Sequence, residues 1–329
     1  MAEAVILGAG AWGTALAVIL ASNHSVELCV RRPAHLEAIS TARENTLYLP
    51  GIPLPASLGL TSDWESAVRG AATVVMAVPS RFARAAMAPI ASAIASSATI
   101  VSVTKGIEQD SLYTMAQMLA EVAPPARRIA VLSGPGFAAE VARAKPAALV
   151  AAARDEAVAR QVQSLFAARS LRVYRSDDVI GVELGGAVKN VIAIAAGISD
   201  GLELGSSARA ALITRGLAEM MRLAAAAGAR RETMAGLAGL GDLVLTCTGE
   251  LSRNRSLGLK LARREPPSRP AAGTPVAEGL ANALSVWRLA ARLKVEMPIV
   301  SAVYRVLYEA APANAMVEEL LSRELKAEF

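Results

Sequence analysis

The chain has 329 residues, of which 53% are hydrophobic and only 4% aromatic. A full core for two domains is therefore available, and Ala, Val and Leu must fill most of it. The net charge of +5 comes without any Lys/Arg block and with too few aromatics for base stacking, which argues against nucleic acid and toward an anionic small molecule. Two cysteines, Cys29 and Cys247, and two histidines, His24 and His35, argue against a disulfide scaffold, a metal site and a histidine acid–base. The apolar runs look too short for a span of ~20 residues, so no membrane span is expected. The first strand begins by Ala4, so no presequence is expected and a cytoplasmic location is.

Ala4 to Leu7 reads as a buried strand running directly into Gly8-Ala9-Gly10-Ala11-Trp12-Gly13, with helix from Thr14 to Ala21. This is the GxGxxG pattern in its strand–turn–helix context. Gly8 permits the tight turn, Gly10 lets backbone approach a pyrophosphate, and Gly13 lets the helix pack on the strand. The helix N-terminus then presents free N–H groups to the phosphates. Val26 to Val30 is the second strand. Where an NAD site usually carries an acid for the ribose 2′-hydroxyl, the chain reads Arg31-Arg32, which suits a 2′-phosphate and favours NADPH over NADH.

Further strands are predicted at 73–78, 99–103, 129–132, 147–152 and 171–174, with a helix at 156–168. Thr104-Lys105-Gly106 follows the second of these, which puts Lys105 at the carboxyl edge of the sheet, where ligands sit. Ser133-Gly134-Pro135-Gly136-Phe137-Ala138 is a glycine-rich turn whose N–H groups suit an anion, or an ordinary strand–helix turn. After Ser176 the strand pattern stops and alanine- and leucine-rich helices follow, over 208–227, 277–293, 299–308 and 315–322. Residues 263–275, RREPPSRPAAGTP, read as a surface loop and a candidate lid.

The stretch from Gly181 to Asp200 reads as an apolar helix containing Gly185-Gly186-Ala187-Val188-Lys189-Asn190. Two glycines in a helix interior cost roughly 1 kcal/mol each against alanine, which implies close approach of another backbone or a ligand. A lysine on such a helix either snorkels to water or, partly desolvated, loses its proton more easily and serves as a general base. Gly239 to Thr246 sets Asp242 and Thr246 on one helical face. Ser252-Arg253-Asn254-Arg255 offers a bidentate arginine among neutral donors, as a phosphate requires, or is a solvated turn.

Together these segments resemble the bacterial-type NAD(P)-dependent glycerol-3-phosphate dehydrogenases over nearly the whole chain. The resemblance rests on GAGAWG at 8–13, YLPG at 48–51, VPS at 78–80, TKG at 104–106, SGPGFAAE at 133–140, GGAVKN at 185–190, GLGDLVLTCT at 239–248, SRNR at 252–255 and Glu278-Gly279. It implies an oxidoreductase that interconverts dihydroxyacetone phosphate and sn-glycerol 3-phosphate with NADPH or NADH and supplies phospholipid synthesis. Lys189 would be the proton acceptor. Lys105, Gly134, Asp242, Ser252, Arg253 and Asn254 would contact the phosphorylated triose, with Gly136, Asn190 and Thr246 beside them. Ala11, Trp12, Arg31, Lys105, Ala138, Arg253, Val276 and Glu278 would lie along the nucleotide, with Gly8, Gly10, Gly13 and Arg32. One departure is Gly136, where the family usually has Ser or Thr; the hydroxyl contact is lost there.

The expected fold is an α/β N-terminal Rossmann-type dinucleotide-binding domain over residues 1–180, followed by an all-α C-terminal substrate-binding domain over 181–329. The alanine-rich helical faces suit either a homodimer interface or a monomer core. A β-hydroxyacid dehydrogenase, which also carries a catalytic lysine on a helical domain, is disfavoured by the 239–246 and 252–254 runs. A non-catalytic nucleotide sensor has no reason to keep Lys189 with Asp242 and Arg253.

Overall fold

Eight short strands form one sheet in the order β3-β2-β1-β4-β5-β6-β7-β8. The computed structural model describes residues 2–123, 128–263, 277–325 and 327. The strands are β1 Ala4–Leu7, β2 Val26–Cys29, β3 Gly59–Thr61, β4 Thr73–Met76, β5 Thr99–Ser102, β6 Arg128–Ser133, β7 Ala147–Ala152 and β8 Leu171–Ser176. The first six pair in parallel in the doubly wound order. β7 then joins β6 antiparallel, and β8 joins β7 in parallel. Strands β1, β4 and β5 are buried along their whole length, as expected where helices cover both faces of a sheet.

Between the strands run α1 Ala11–Leu20, α2 Pro33–Ala42, α3 Trp64–Val68, α4 Ser80–Met87, α5 Met115–Val122, α6 Ala138–Ala142 and α7 Glu156–Phe166. The first helix begins at Ala11 rather than Thr14, so the last glycine of the turn lies inside it. Leu7 pairs with Cys29 on one side and Met76 on the other. The carboxyl ends of β1, β2 and β4 are therefore level, and the turns after them share one edge.

From Val179 the chain is helical: α8 Val179–Gly201, α9 Gly205–Ala226, α10 Arg231–Ala235, α11 Asp242–Thr248, α12 Arg253–Ala262, α13 Glu278–Arg292, α14 Pro298–Tyr308 and α15 Ala313–Leu321. A π-helical turn, Leu237–Gly241, leads into α11. The α8 helix is the axis of this half and packs against α9, α11, α12, α13 and α14. An 18-residue window of this 23-residue helix has a mean hydropathy of 1.6, which makes the helix long and apolar enough to cross a membrane although the apolar runs look too short in the sequence, but 89% of that window is buried inside the protein. It is the core helix of the bundle. The run at 252–255 is no free turn, since Ser252 caps α12 by accepting the Arg255 N–H at 3.2 Å. Most of the 263–275 loop lies outside the described residues.

Candidate active site

Two adjoining cavities lie where the sheet's carboxyl edge meets the helical half. One, of about 860 Å³, is lined by Gly8, Gly10, Arg31 and Arg32 among others. The other, of about 500 Å³, is lined by Lys105, Lys189, Asn190, Asp242, Thr246 and Ser252 among others. Ala11, Trp12, Tyr48, Arg253 and Glu278 line both, so the two are compartments of one cleft.

The first compartment is built from backbone. Gly8 has φ +112°, and a side chain there would lie 2.9 Å from the Ala77 carbonyl oxygen; only glycine takes this turn without strain. A side chain on Gly13, which is buried, would strike the Gly8 carbonyl, so the absence of one lets the helix pack on the turn. Above Gly10 nothing lies within 4 Å, which leaves room for a ligand against the first turn of α1. No side chain caps that helix, so its N–H groups stay available to an anion. The Trp12 indole N–H is buried without a partner. The Arg32 guanidinium lies 3.5 Å from the Tyr48 hydroxyl.

The second compartment is built from side chains. Two glycines in α8 make room for it. At Gly185 the backbone of Ala238 approaches so closely that a methyl would strike its carbonyl, and Gly186 faces Ser133 and the Lys105 stem. This approach of the π-turn is what the glycine pair implied. One turn on, Lys189 is only 6% exposed and Asp242 1%. Lys189 Nζ donates to Asp242 Oδ1 at 3.0 Å and to Thr246 Oγ1 at 2.7 Å. Lys105 Nζ donates to Asp242 Oδ2 at 2.5 Å and to the Gly134 carbonyl at 2.9 Å. The snorkelling reading of Lys189 is therefore excluded: its amine is inside.

One carboxylate thus serves two ammonium groups. Burial lowers the Lys189 pKa to about 8, with Asp242 opposing and Lys105 adding to the shift. Burial pushes Asp242 up, but the two lysines more than reverse it and hold it ionised. For Glu278 burial raises the pKa, against the pull of Arg253 and the lysines.

Gly136 and Ala138 line the lysine compartment. A side chain on Gly136 would touch Trp12 and Val141, each at 3.3 Å. Gly134 reaches the site through its carbonyl only. Asn190 and Asn254 are joined, Asn254 Nδ2 donating to Asn190 Oδ1 at 2.8 Å, and Asn254 Oδ1 accepts the Gly279 N–H at 2.9 Å. Val276 lies outside the described residues. The sequence reading missed Asn45, which is fully buried and holds the glycine turn by donating to the Ala9 carbonyl at 2.9 Å. It also missed Arg81 and Arg143, which line the cleft, and Asn282. Asn282 lies four residues after Glu278, one helical turn along the same face, which is the signal that points to it.

Comparison with known proteins agrees with this geometry. Residues 3–159 match the NAD-dependent glycerol-3-phosphate dehydrogenase N-terminus, and residues 178–318 match the C-terminus of the same family. The chain belongs to the NAD-dependent glycerol-3-phosphate dehydrogenase family. It is 51% identical over 333 residues to glycerol-3-phosphate dehydrogenase [NAD(P)+] of Geobacter sp. (strain M21), covering 100% of this chain and 99% of the relative. The enzyme of the same name from Thiobacillus denitrificans is 50% identical over 325 residues, covering 98% of this chain and 99% of the relative. Among solved structures, glycerol-3-phosphate dehydrogenase from Coxiella burnetii superposes with a TM-score of 0.91 at 40% identity, covering 97% of this chain and 98% of that one.

Proposed function

We propose that the chain interconverts dihydroxyacetone phosphate and sn-glycerol 3-phosphate with NAD(P)H, residues 1–180 forming the nucleotide half and 181–329 the triose half. The observation that carries this reading is Lys189, a buried amine held by Asp242 and Thr246 at the wall of a cationic compartment that opens onto the glycine turn. The open space at Gly10, the uncapped first turn of α1 and the unpartnered Trp12 indole fit a dinucleotide. Gly8, Gly10, Ala11 and Trp12 would hold it, and Arg31 and Arg32, in place of an acid after β2, favour NADPH. When bound, that cofactor supplies or takes the hydride.

The protein handles the proton and the phosphate. Lys189 Nζ gives a proton to the C2 oxygen of the ketone as it becomes an alkoxide, and neutral Lys189 takes the hydroxyl proton in the reverse direction. Asp242 keeps the amine oriented, and the Lys105 ammonium stabilises the developing oxyanion. Arg253, at the junction of the compartments, suits the phosphate, with Ser252 and Asn254 as neutral donors around it. We further propose that the enzyme acts in the cytoplasm and that its product feeds glycerophospholipid synthesis.

The test is the absorbance decay of NADPH with dihydroxyacetone phosphate beside a 2-oxo acid. Turnover is expected with the phosphorylated triose alone. Equal or better turnover of the oxo acid would overturn the reading.

A further inference from the structure

Lys105 must be held at two ends. Its ammonium reaches Gly134 and Asp242, but its backbone sits just past the end of β5, where the ladder no longer holds it. Before it, Thr104 Oγ1 donates to the Val78 carbonyl at 2.7 Å. At Lys105 itself the carbonyl accepts from the helical half. Asn282, on α13 and wholly buried, donates its Nδ2 to the Lys105 carbonyl at 2.9 Å and to the Ala187 carbonyl at 3.3 Å. Asn190 reaches the same Lys105 carbonyl at 3.4 Å while also serving Gly186, so Asn282 makes the shorter bond.

One amide thus bridges the loop bearing Lys105 and the helix bearing Lys189, two residues from Lys189. Its orientation is fixed, because two carbonyls demand an N–H₂ and would repel the amide oxygen. That oxygen is left buried without a partner, on the side of Gly106 and Ser80, where a side chain on Gly106 would collide. A buried amide oxygen left unpaired is costly, and a purely structural position would be better filled by an apolar side chain.

Taking the proposed function as given, we infer that Asn282 is a positioning residue that sets the distance between the Lys105 backbone and α8, and so keeps both lysines on the one carboxylate of Asp242. The consequence has a definite sign. Withdrawal of Lys105 removes a like charge from Lys189 and returns Asp242 wholly to it, and both changes favour protonated Lys189. The other charged or titratable neighbours are unaltered: Glu278 from α13 and Cys247 from α11 stay beside Lys189, Arg253 from α12 stays beside Glu278, and Glu219 of α9 is turned to the N–H groups of Ile299 and Val300.

The experiment uses the full-length enzyme, Asn282→Leu and Asn282→Ala, with glycerol 3-phosphate oxidation followed across pH beside thermal stability and NADPH affinity. Leucine keeps the volume and lacks the donor; alanine lacks both. If the donor matters, both variants shift the midpoint of the pH–kcat profile upward by about one pH unit and lower kcat near neutral pH roughly tenfold, with NADPH affinity kept. Profiles that coincide with the wild type, whatever the stability, overturn the inference. So does a shift in alanine alone, which would make the role one of packing, or failure of both variants to fold, which would make it one of folding. A wild type inactive on glycerol 3-phosphate would instead overturn the functional reading, so the two failures are distinct.

Discussion

The turn at residues 8–13 and the helix around Lys189 both depend on glycine and use it to opposite ends. At the turn the missing side chains leave empty space, open above Gly10 and bounded by backbone at Gly8. At Gly185 and Gly186 the missing side chains are filled at once, by the Ala238 backbone and by Ser133 and Lys105. The first region offers N–H groups to an anion without any charged residue of its own. The second closes tightly enough to bury an ammonium, which makes that ammonium labile. A binding site can be made of backbone, but a proton carrier needs a side chain whose surroundings are dry.

The two regions should separate most clearly at Lys189. Lys189→Ala leaves the turn intact and places the best helix former in a helix. NADPH affinity should be unchanged while single-turnover reduction falls by roughly 10²–10⁴-fold. Lys189→Arg should fail equally, because a guanidinium holds its proton too tightly to give it to the ketone oxygen or, in the oxidative direction, to be free to accept one. Loss of NADPH binding in step with turnover would show the two regions to be one.

What the sequence made legible follows the same division. The glycine turn is local, so its strand, turn and helix are read within a dozen residues, and all three are present. Lys189 stood out as a misfit on an apolar helix. Asn45 and Asn282 did not, because each acts on a carbonyl far away in the chain, 36 residues off for Ala9 and 177 for Lys105. Nor does periodicity give strand direction, so the antiparallel β6–β7 pair was invisible. The three-residue β3 is too short to leave a pattern. The membrane-like hydropathy of α8 reflects how completely the bundle surrounds it.

Arg253 belongs to both regions, since it lines both compartments. A charge-assisted contact contributes about 1.5–3 kcal/mol, so Arg253→Ala should lower kcat/KM for dihydroxyacetone phosphate by roughly tenfold to a hundredfold. Dihydroxyacetone, lacking the phosphate, should be a poor substrate that scarcely responds to the change. An equal loss on both substrates would assign Arg253 to the nucleotide or the fold.

A pH titration asks whether the dry compartment does what its burial implies. With Lys189 at about 8, oxidation of glycerol 3-phosphate needs the neutral amine and should rise with pH through about 8, changing about tenfold per unit below it. Reduction needs the protonated amine and should fall over the same range. Asp242, held ionised by both lysines, adds no step near neutral pH. Profiles that move in the same direction for both reactions would rule out Lys189 as the proton carrier.

The smallest expected effect belongs to the backbone region and concerns only which nucleotide it prefers. Gly8, Gly10 and the first turn of α1 meet the part common to NADH and NADPH and cannot tell them apart. Discrimination must come from side chains near the end of β2, where Arg31 and Arg32 line the cavity and stand at the position where an NAD site usually carries the acid for the ribose 2′-hydroxyl. Both guanidiniums are solvent-exposed, so each charge is screened and contributes less than a buried one. Arg31→Ala should therefore lower kcat/KM for NADPH by about tenfold at low salt and leave NADH nearly unchanged. The ratio of the two should converge further as ionic strength rises. A wild type that prefers NADH, or a ratio that ignores both the mutation and the salt, would mean that the arginines after β2 are surface charge and that the turn binds its nucleotide by backbone alone.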